Sequence, residues 1–345
     1  MNVASLLLAD HSPLFRVLVL QDLLGRPDSD DEVVELQSLT KHDTLIQPLL
    51  SSQREDGSWT RFDLVNTTHR SPLFITSFAL IRLGYFGFTD DHPVVKKGIS
   101  YLMSKQARDG SWSLDKDLRK YFREEDTNFI TSLQTSIPLR ALSMCKAFDL
   151  SQVELAYDWL IEQRIDDGTW PTGYIEGNMR GVGGYRKLAH SQWGCRTNTT
   201  SALACLVQHP KYHKSEITRK ALDILLANKR FEQHNLGFEI AKLMGAQTNS
   251  GLLTFHYEFD LGLIMYLCAK AKVSKTDSRL QDIIAFLNSI RLPNGLWEYN
   301  KSISASRYLT YDLLKSMMQL DENSSWFSIE PETSFEKVRR PKERY

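Results

Sequence analysis

One short phrase recurs along this chain and restricts its architecture more than any other feature. The copies read QREDGSW at 53–59, QARDGSW at 106–112, QRIDDGTW at 163–170 and RLPNGLW at 291–297. Their glycines, at positions 57, 110, 168 and 295, lie 53, 58 and 127 residues apart. A fixed period of this kind is the signature of a repeat protein. Because the last interval is about twice the others, we expect a fifth copy that has lost its motif near 228–237.

Each motif stands between two helical segments of different character. The segments before the motifs alternate apolar and charged residues at helical spacing, which predicts half-exposed outer helices at 93–105, 152–162, 217–228 and 280–290. The segments after them are more uniformly apolar, which predicts buried inner helices at 72–83, 135–146, 198–208, 257–269 and 308–318. Residues 16–24 are expected to form a sixth inner helix, with an outer partner at 35–51.

This alternation predicts an all-α fold, a single (α/α)6 toroid in which inner and outer helices form a barrel over residues 1–320. We expect the ring to be closed, because an open stack would expose its end faces. In each DGxW loop the glycine suits a tight turn, the tryptophan fills the gap between hairpins, and the glutamine bonds to loop backbone. The polar segment 321–345 leaves the repeat and is predicted to be a cap or a frayed tail.

Composition excludes several classes of function. The 42 Lys and Arg balance 42 Asp and Glu, so the chain lacks the basic surface of a nucleic-acid-binding protein. No apolar run reaches the roughly 20 residues of a membrane span, which leaves only peripheral membrane contact open. Four unpaired cysteines suit a reducing cytoplasm. No metal site is predicted, since Cys195, Cys205, His190 and His209 match no zinc spacing.

The repeated QxxDGxW loops resemble the QW motif of the squalene–hopene and oxidosqualene cyclases, whose toroid is shared by the β subunits of protein prenyltransferases. The chain is therefore identified as a member of this terpenoid cyclase superfamily, similar to its stand-alone, single-toroid prokaryotic proteins. It departs from the catalytic signatures of the superfamily. No DxDD cluster begins a predicted inner helix, and the chain has no Asp-x-Cys zinc pair.

Aligning the inner helices with one another singles out one residue. Four of them carry a threonine at an equivalent first-turn slot, at positions 76, 135, 199 and 310, whereas the fifth carries Asp260. The resemblance implies an acidic residue at this place, which in an apolar cavity would stay protonated and donate a proton, tuned by Glu258 and His256. An aspartate that caps its helix or forms an ion pair is the alternative, and both interpretations stay open.

Arginines three residues before this slot, Arg196 and Arg307, together with Arg16, are expected to line one rim. Such a rim suits a phosphate or carboxylate, although the arginines could equally pair with acidic loop residues. The long segment 171–195 is predicted to be a binding loop, and it carries Arg186, Lys187 and Trp193. A second long segment, 231–254, also flanks the helix of Asp260.

The resemblance implies an isoprenoid-handling, terpene-cyclase-like enzyme with an aromatic central cavity. Tyr257 and Tyr266 would stabilise cationic intermediates, and Arg196, Arg307, Arg186 and Lys187 would hold a diphosphate. The ligand would be small and hydrophobic or diphosphate-bearing, with no cofactor other than Mg²⁺ accompanying a diphosphate. The alternative is a non-catalytic toroid that binds a small ligand, peptide or partner protein at its rim. A carbohydrate-active toroid is a third interpretation, which the QW loops disfavour.

Overall fold

Helices dominate the computed structural model of the chain. It describes residues 3–113, 131–171, 174–175, 178–179, 188, 191–227, 231, 234–248, 259–300 and 302–320. The inner helices are α2 (Pro13–Leu18, continued by a π-helical turn at Val19–Leu23), α5 (Pro72–Tyr85), α7 (Ser132–Met144), α9 (Arg196–Leu206), α12 (Leu261–Lys270) and α14 (Ile303–Leu320). The outer helices are α1 (Val3–Leu8), α3 (Asp31–Ser38), α4 (Gln47–Ser52), α6 (Pro93–Ser104), α8 (Ser151–Glu162), α10 (Glu216–Leu226) and α13 (Ser278–Ser289). A short helix, α11 (Phe238–Leu243), and two strands, β1 (Tyr174–Ile175) and β2 (Asn178–Met179), complete the set.

The predicted contrast between inner and outer helices is confirmed. Every residue of α9 after Arg196 is buried, whereas α10 buries one face and exposes charged residues on the other. The predicted outer helix at 35–51 is wrong in one respect, because it is divided into α3 and α4. The Asp43 carboxylate accepts hydrogen bonds from the backbone N–H groups of Leu45 and Ile46, which starts a new helix.

The motif loops join the hairpins through the same hydrogen bonds in each repeat. The backbone N–H of each motif tryptophan donates to the slot threonine of the following inner helix, at 2.9–3.2 Å, in the pairs Trp59–Thr76, Trp112–Thr135, Trp170–Thr199 and Trp297–Thr310. Each buried indole N–H donates to a carbonyl ten residues earlier. Gln53 and Gln106 bond both to their own loop and to the next outer helix. The motif is therefore structural.

The motif glycines bring each loop against the next outer helix and close the ring. All four have φ between 84° and 92°, a region that favours glycine. A Cβ on Gly57 would lie 2.2 Å from the Lys97 carbonyl oxygen of α6, and one on Gly110 would lie 2.6 Å from the Leu155 carbonyl oxygen of α8. The last glycine, Gly295, approaches the first helix, α1, less closely, since a Cβ there would lie 3.3 Å from the Val3 Cβ.

Helix α14 completes the ring by packing on the first inner helix. The Tyr308 ring lies 4.0 Å from that of Phe15, centroid to centroid. The Arg307 guanidinium lies 3.4 Å from the Asp10 carboxylate, with both side chains largely buried. The helices thus form the predicted α/α toroid, with its N-terminal and C-terminal elements in contact.

The fifth repeat retains the motif geometry after losing the motif sequence. Gly237, with φ 81°, occupies the glycine position, and Glu239 stands where the tryptophan would be. The Glu239 N–H donates to the Asp260 carboxylate at 2.7 Å, as each tryptophan N–H donates to its threonine. This repeat has no tryptophan to fill the space between hairpins. The chain instead forms α11, which packs against the inner helices α5, α12 and α14.

Candidate functional site

A cavity lies inside the ring, between α11 and the inner helices α5, α7, α12 and α14. It holds about 550 Å³ of empty space, including the part open to solvent. Its apolar wall includes Met144, Ile240, Leu243, Leu263 and Leu309. Its polar side chains are Tyr85, Arg140, Glu239, Asp260, Tyr266 and Asp312.

Asp312 projects from α14 into this cavity and bonds to the helix opposite. Its Oδ1 atom accepts a hydrogen bond of 2.9 Å from the Tyr85 hydroxyl of α5. Burial raises the pKa of Asp312 to about 7, although the Tyr85 hydrogen bond, Lys315 and Arg140 favour the ionised form. Near neutral pH this carboxyl group therefore exchanges between its acid and its anion.

Tyr266 and Arg140 complete the polar part of the cavity. The Tyr266 hydroxyl accepts a hydrogen bond from the Gln208 side chain, which ties α12 to the end of α9. Burial raises the pKa of Tyr266 to about 12, so the phenol is neutral. Arg140 favours the anionic form of both Tyr266 and Asp312, and it is a cation that could stabilise a negative charge arising in the cavity.

Asp260 lies at the predicted slot, immediately before α12, and is only 1% exposed. Its backbone is extended (φ −121°, ψ 120°), and its carboxylate accepts three backbone N–H bonds, from Gly237, Glu239 and Gly262. Burial raises the pKa of Asp260 to about 6 in spite of these bonds. The side chain therefore caps α12 and at the same time fixes the start of α11.

The arginine rim predicted from the sequence is only partly assembled. Arg307 pairs with Asp10, and Arg16 lies 3.6 Å from the Glu32 carboxylate. Arg196 lies over the Phe259 ring at 5.7 Å. Two of the three arginines thus already have carboxylate partners.

The other predicted site residues fall in different places. Trp193 is 45% exposed, outside the cavity, whereas Tyr266 lines it. Five predicted residues lie outside the part of the chain that the structure describes: Arg186, Lys187, His256, Tyr257 and Glu258.

Asp312, Arg140 and Tyr85 were not predicted from the sequence. A signal was present for Arg140, because it is the one charged residue of the inner helix α7. Residues 28–31 read DSDD and fit the letters of the cyclase motif, which was not predicted either. These residues precede and begin the outer helix α3, where the Asp30 side chain accepts a hydrogen bond from the Glu32 N–H, and Asp28 and Asp31 are exposed. They are remote from the cavity.

Within the described ranges, no group of three or more His, Cys, Asp or Glu side chains is arranged to hold a metal ion. Burial raises the pKa of the Cys145 and Cys268 thiols to about 12, which disfavours the thiolate that a metal requires. The same ranges contain no helix with the length and apolarity of a transmembrane span.

Comparison with known proteins gives matches in sequence and in structure. Residues 26–188 match the family model of the squalene–hopene cyclase C-terminal domain. The chain is 28% identical over 131 residues to a squalene–hopene cyclase of Zymomonas mobilis, an alignment that covers 37% of the chain and 19% of that relative. The chain thus spans about a fifth of the length of the curated relative it matches.

Two solved structures are similar over most of the chain. A protein from Actinoplanes has a TM-score of 0.46 and 14% identity, with 89% of this chain and 90% of that chain covered. A variant of the type II terpene cyclase MstE from Scytonema, in complex with the substrate geranylgeranyl dihydroxybenzoate, has a TM-score of 0.35 and 13% identity. That match covers 80% of this chain and 95% of the other.

Proposed function

We propose that the chain is an isoprenoid-handling enzyme of the terpene-cyclase type, with Asp312 as its proton donor, and the match of residues 26–188 to the squalene–hopene cyclase family model supports this. The observation that carries the proposal is a carboxyl group with a pKa of about 7 inside a largely apolar cavity. A carboxylic acid that remains protonated near neutral pH has a proton to donate to an alkene, whereas a solvated aspartate is already ionised at that pH.

The surroundings of Asp312 suit both states of the group. Before the transfer, the apolar wall favours the neutral acid. After the transfer, the Tyr85 hydroxyl and the nearby Arg140 guanidinium stabilise the carboxylate. The rings of Tyr85 and Tyr266 line the same cavity, where aromatic faces stabilise a carbocation by cation–π attraction.

Asp260 is the rival acid, as the sequence analysis proposed. Both of its oxygen atoms already accept backbone N–H bonds, which hold the group in its ionised form and tie it to two helices. Among the described residues, Asp312 accepts a hydrogen bond at one oxygen, from the Tyr85 hydroxyl, and we propose the other oxygen for a substrate. We therefore propose capping for Asp260 and proton donation for Asp312.

The test is turnover of geranyl, farnesyl and geranylgeranyl diphosphates, followed by mass spectrometry of the extracts. Removal of a general acid typically costs 10²- to 10⁴-fold in rate, so we expect Asp312→Asn to lose at least about 100-fold. Because the acid must be protonated, wild-type activity should fall as the pH rises above about 7. Asp282→Asn, on an exposed position of α13, is the matched control and should retain activity.

Two outcomes would contradict the assignment. Full activity in Asp312→Asn, with loss in a folded Asp260→Asn variant, would return the role to Asp260 and its neighbours Glu258 and His256. Absence of turnover with all three substrates would favour the second candidate, a non-catalytic toroid that binds a ligand. The observation that favours this candidate is α11, which packs inside the ring and takes up part of the space that a substrate would need.

A further inference from the structure

Lysine side chains gather where the inner helices end, at the opposite end of the ring from the arginine rim. Lys270 is the last residue of α12, Lys272 follows it by two, and Lys146 follows the end of α7 by two. The pKa of Lys270 is lowered, first by burial and then by the positive charges of Lys315, Lys272 and Lys146. Asp22 is the acidic group that opposes this effect, and it pairs with Lys315 at 2.8 Å.

The described part of the chain provides few partners for this charge. Lys315 also bonds to the Tyr311 hydroxyl at 3.1 Å, and Lys272 reaches the Gln319 carbonyl oxygen at 3.4 Å. Neither Lys146 nor Lys270 has an ion pair or a side-chain hydrogen bond within the described residues. Among those residues, only Lys315 pairs with a carboxylate.

The backbone adopts a strained conformation to place two of these lysines. Lys146 has φ 61° and Lys272 has φ 54°, both in the left-handed region. At the corresponding position after α5 the chain has Gly87, with φ 86°. A residue other than glycine costs about 1–2 kcal/mol in this conformation. The conformation closes the end of each helix, because the N–H group of the next residue donates to a carbonyl oxygen five residues earlier, from Ala147 to Leu142 and from Val273 to Cys268.

One of the lysines lies close to a residue of the central cavity. None of the three is itself part of the cavity lining, and Lys146 follows the cavity residue Met144 by two in the sequence. The Lys270 ammonium lies 5.8 Å from the ring centroid of Tyr266, which is another cavity residue.

The lysines and the carboxyl groups Asp260 and Asp312 are separated along the inner helices. Lys270 follows Asp260 by ten residues, which is about 15 Å along a helix. Asp312 stands two residues beyond Thr310, the slot equivalent to Asp260, and so lies at nearly the same level as Asp260. The carboxyl groups and the lysines therefore stand at different levels along the inner helices.

We propose that Lys146, Lys270 and Lys272 bind the phosphate or diphosphate head of an isoprenoid whose hydrocarbon chain lies in the central cavity. Ammonium groups bind phosphate oxygens as point charges, and several of them around one mouth suit a multiply charged anion. The hydrocarbon part of this inference rests on the proposed function, whereas the anion site does not. The head group would then lie at the lysine end instead of among Arg196, Arg307, Arg186 and Lys187.

Calorimetric titration of the full chain tests the site, with inorganic pyrophosphate, farnesyl diphosphate and farnesol as three separate probes, each with and without Mg²⁺. We expect pyrophosphate to bind, farnesyl diphosphate to bind more tightly, and added salt to weaken both. Lys270→Gln and Lys272→Gln should each lower both affinities about tenfold, since a hydrogen bond to a charged group contributes at least about 1.5 kcal/mol. Farnesol binding should not change. Lys96→Gln, on an exposed position of the outer helix α6, is the matched control and should match wild type.

Absence of pyrophosphate binding, or equal affinity in wild type and the lysine variants, would overturn the site. A lower melting temperature without any change in affinity would also overturn it, since the lysines would then stabilise the fold without binding the anion. The outcome is separable from that of the proposed function. Pyrophosphate binding that depends on the lysines, without turnover of any diphosphate substrate, would support the anion site and contradict the proposed enzymatic function. Turnover that is unchanged in the lysine variants would support the enzymatic function and contradict the anion site.

Discussion

Replacement of Asp312 by asparagine should stabilise the protein at alkaline pH, in addition to abolishing proton donation. In the folded protein the pKa of Asp312 is about 7, against about 3.9 in an unfolded chain. A carboxyl group whose pKa is raised by folding disfavours the folded state increasingly as the pH rises from its unfolded to its folded pKa. At about 1.4 kcal/mol per pH unit, the penalty approaches about 4 kcal/mol at pH 8 and is about 1.5 kcal/mol at pH 5.

Asparagine keeps an oxygen that can accept the Tyr85 hydroxyl bond and has no charge to bury. The variant should therefore exceed wild type in free energy of unfolding by about 4 kcal/mol at pH 8 and by about 1–2 kcal/mol at pH 5. Urea denaturation at both pH values, monitored by circular dichroism, measures the two differences. The exposed Asp282→Asn substitution should change stability by less than about 0.5 kcal/mol at either pH.

The pH dependence of the difference is the decisive quantity. Asp260, whose pKa is also raised, adds a penalty of the same sign, and its charge contributes to the raised pKa of Asp312, so part of the measured difference belongs to this pair. A difference that is the same at pH 5 and pH 8, or a variant that is less stable at pH 8, would refute the assignment of a protonated Asp312 at neutral pH. The proposed mechanism would then lack its acid.

Two further predictions concern the repeat itself. Gly57→Ala should lower the free energy of unfolding by about 3 kcal/mol, because left-handed strain adds to a Cβ placed 2.2 Å from the Lys97 carbonyl oxygen. The control is Gly87→Ala, because Gly87 has a similar φ but nothing lies within 4 Å of the new Cβ, so its free energy of unfolding should fall by only about 1 kcal/mol. Equal decreases for the two variants in urea denaturation would refute the close approach at Gly57. Trp112→Phe removes a buried indole and its bond to a helix carbonyl, so we expect a loss of about 3 kcal/mol, whereas Trp193→Phe at an exposed site should lose less than about 0.5 kcal/mol. A similar melting temperature for both tryptophan variants would contradict the structural role of the motif.

The toroid could be predicted from the sequence because its main determinants are local and repeated. Each loop places a glycine and a tryptophan two residues apart, and each slot threonine follows at the start of an inner helix. The interval between motifs also predicted a degenerate repeat, and Gly237 occupies its glycine position.

The site was harder to predict because its contacts cross the ring. Tyr85 and Asp312 are 227 residues apart, and nothing near either residue indicates that the two side chains meet. Asp260 stood out because it broke an internal pattern. The pattern alone could not distinguish a capping carboxylate from a catalytic one, since that depends on the backbone N–H groups of another segment.

The contact between Gly295 and Val3 has a consequence for how this chain reaches its native state. In a linear stack, each new repeat can settle on the preceding one while the ribosome is still adding residues. In this protein, α1 and α2 pack against the hairpin of α13 and α14, which follows nearly 300 residues later. The apolar faces of α1 and α2 therefore stay uncovered during synthesis until that later hairpin has been made. The completed circle has no terminal repeat from which unravelling could start, and we expect it to resist proteolysis until it opens as a whole.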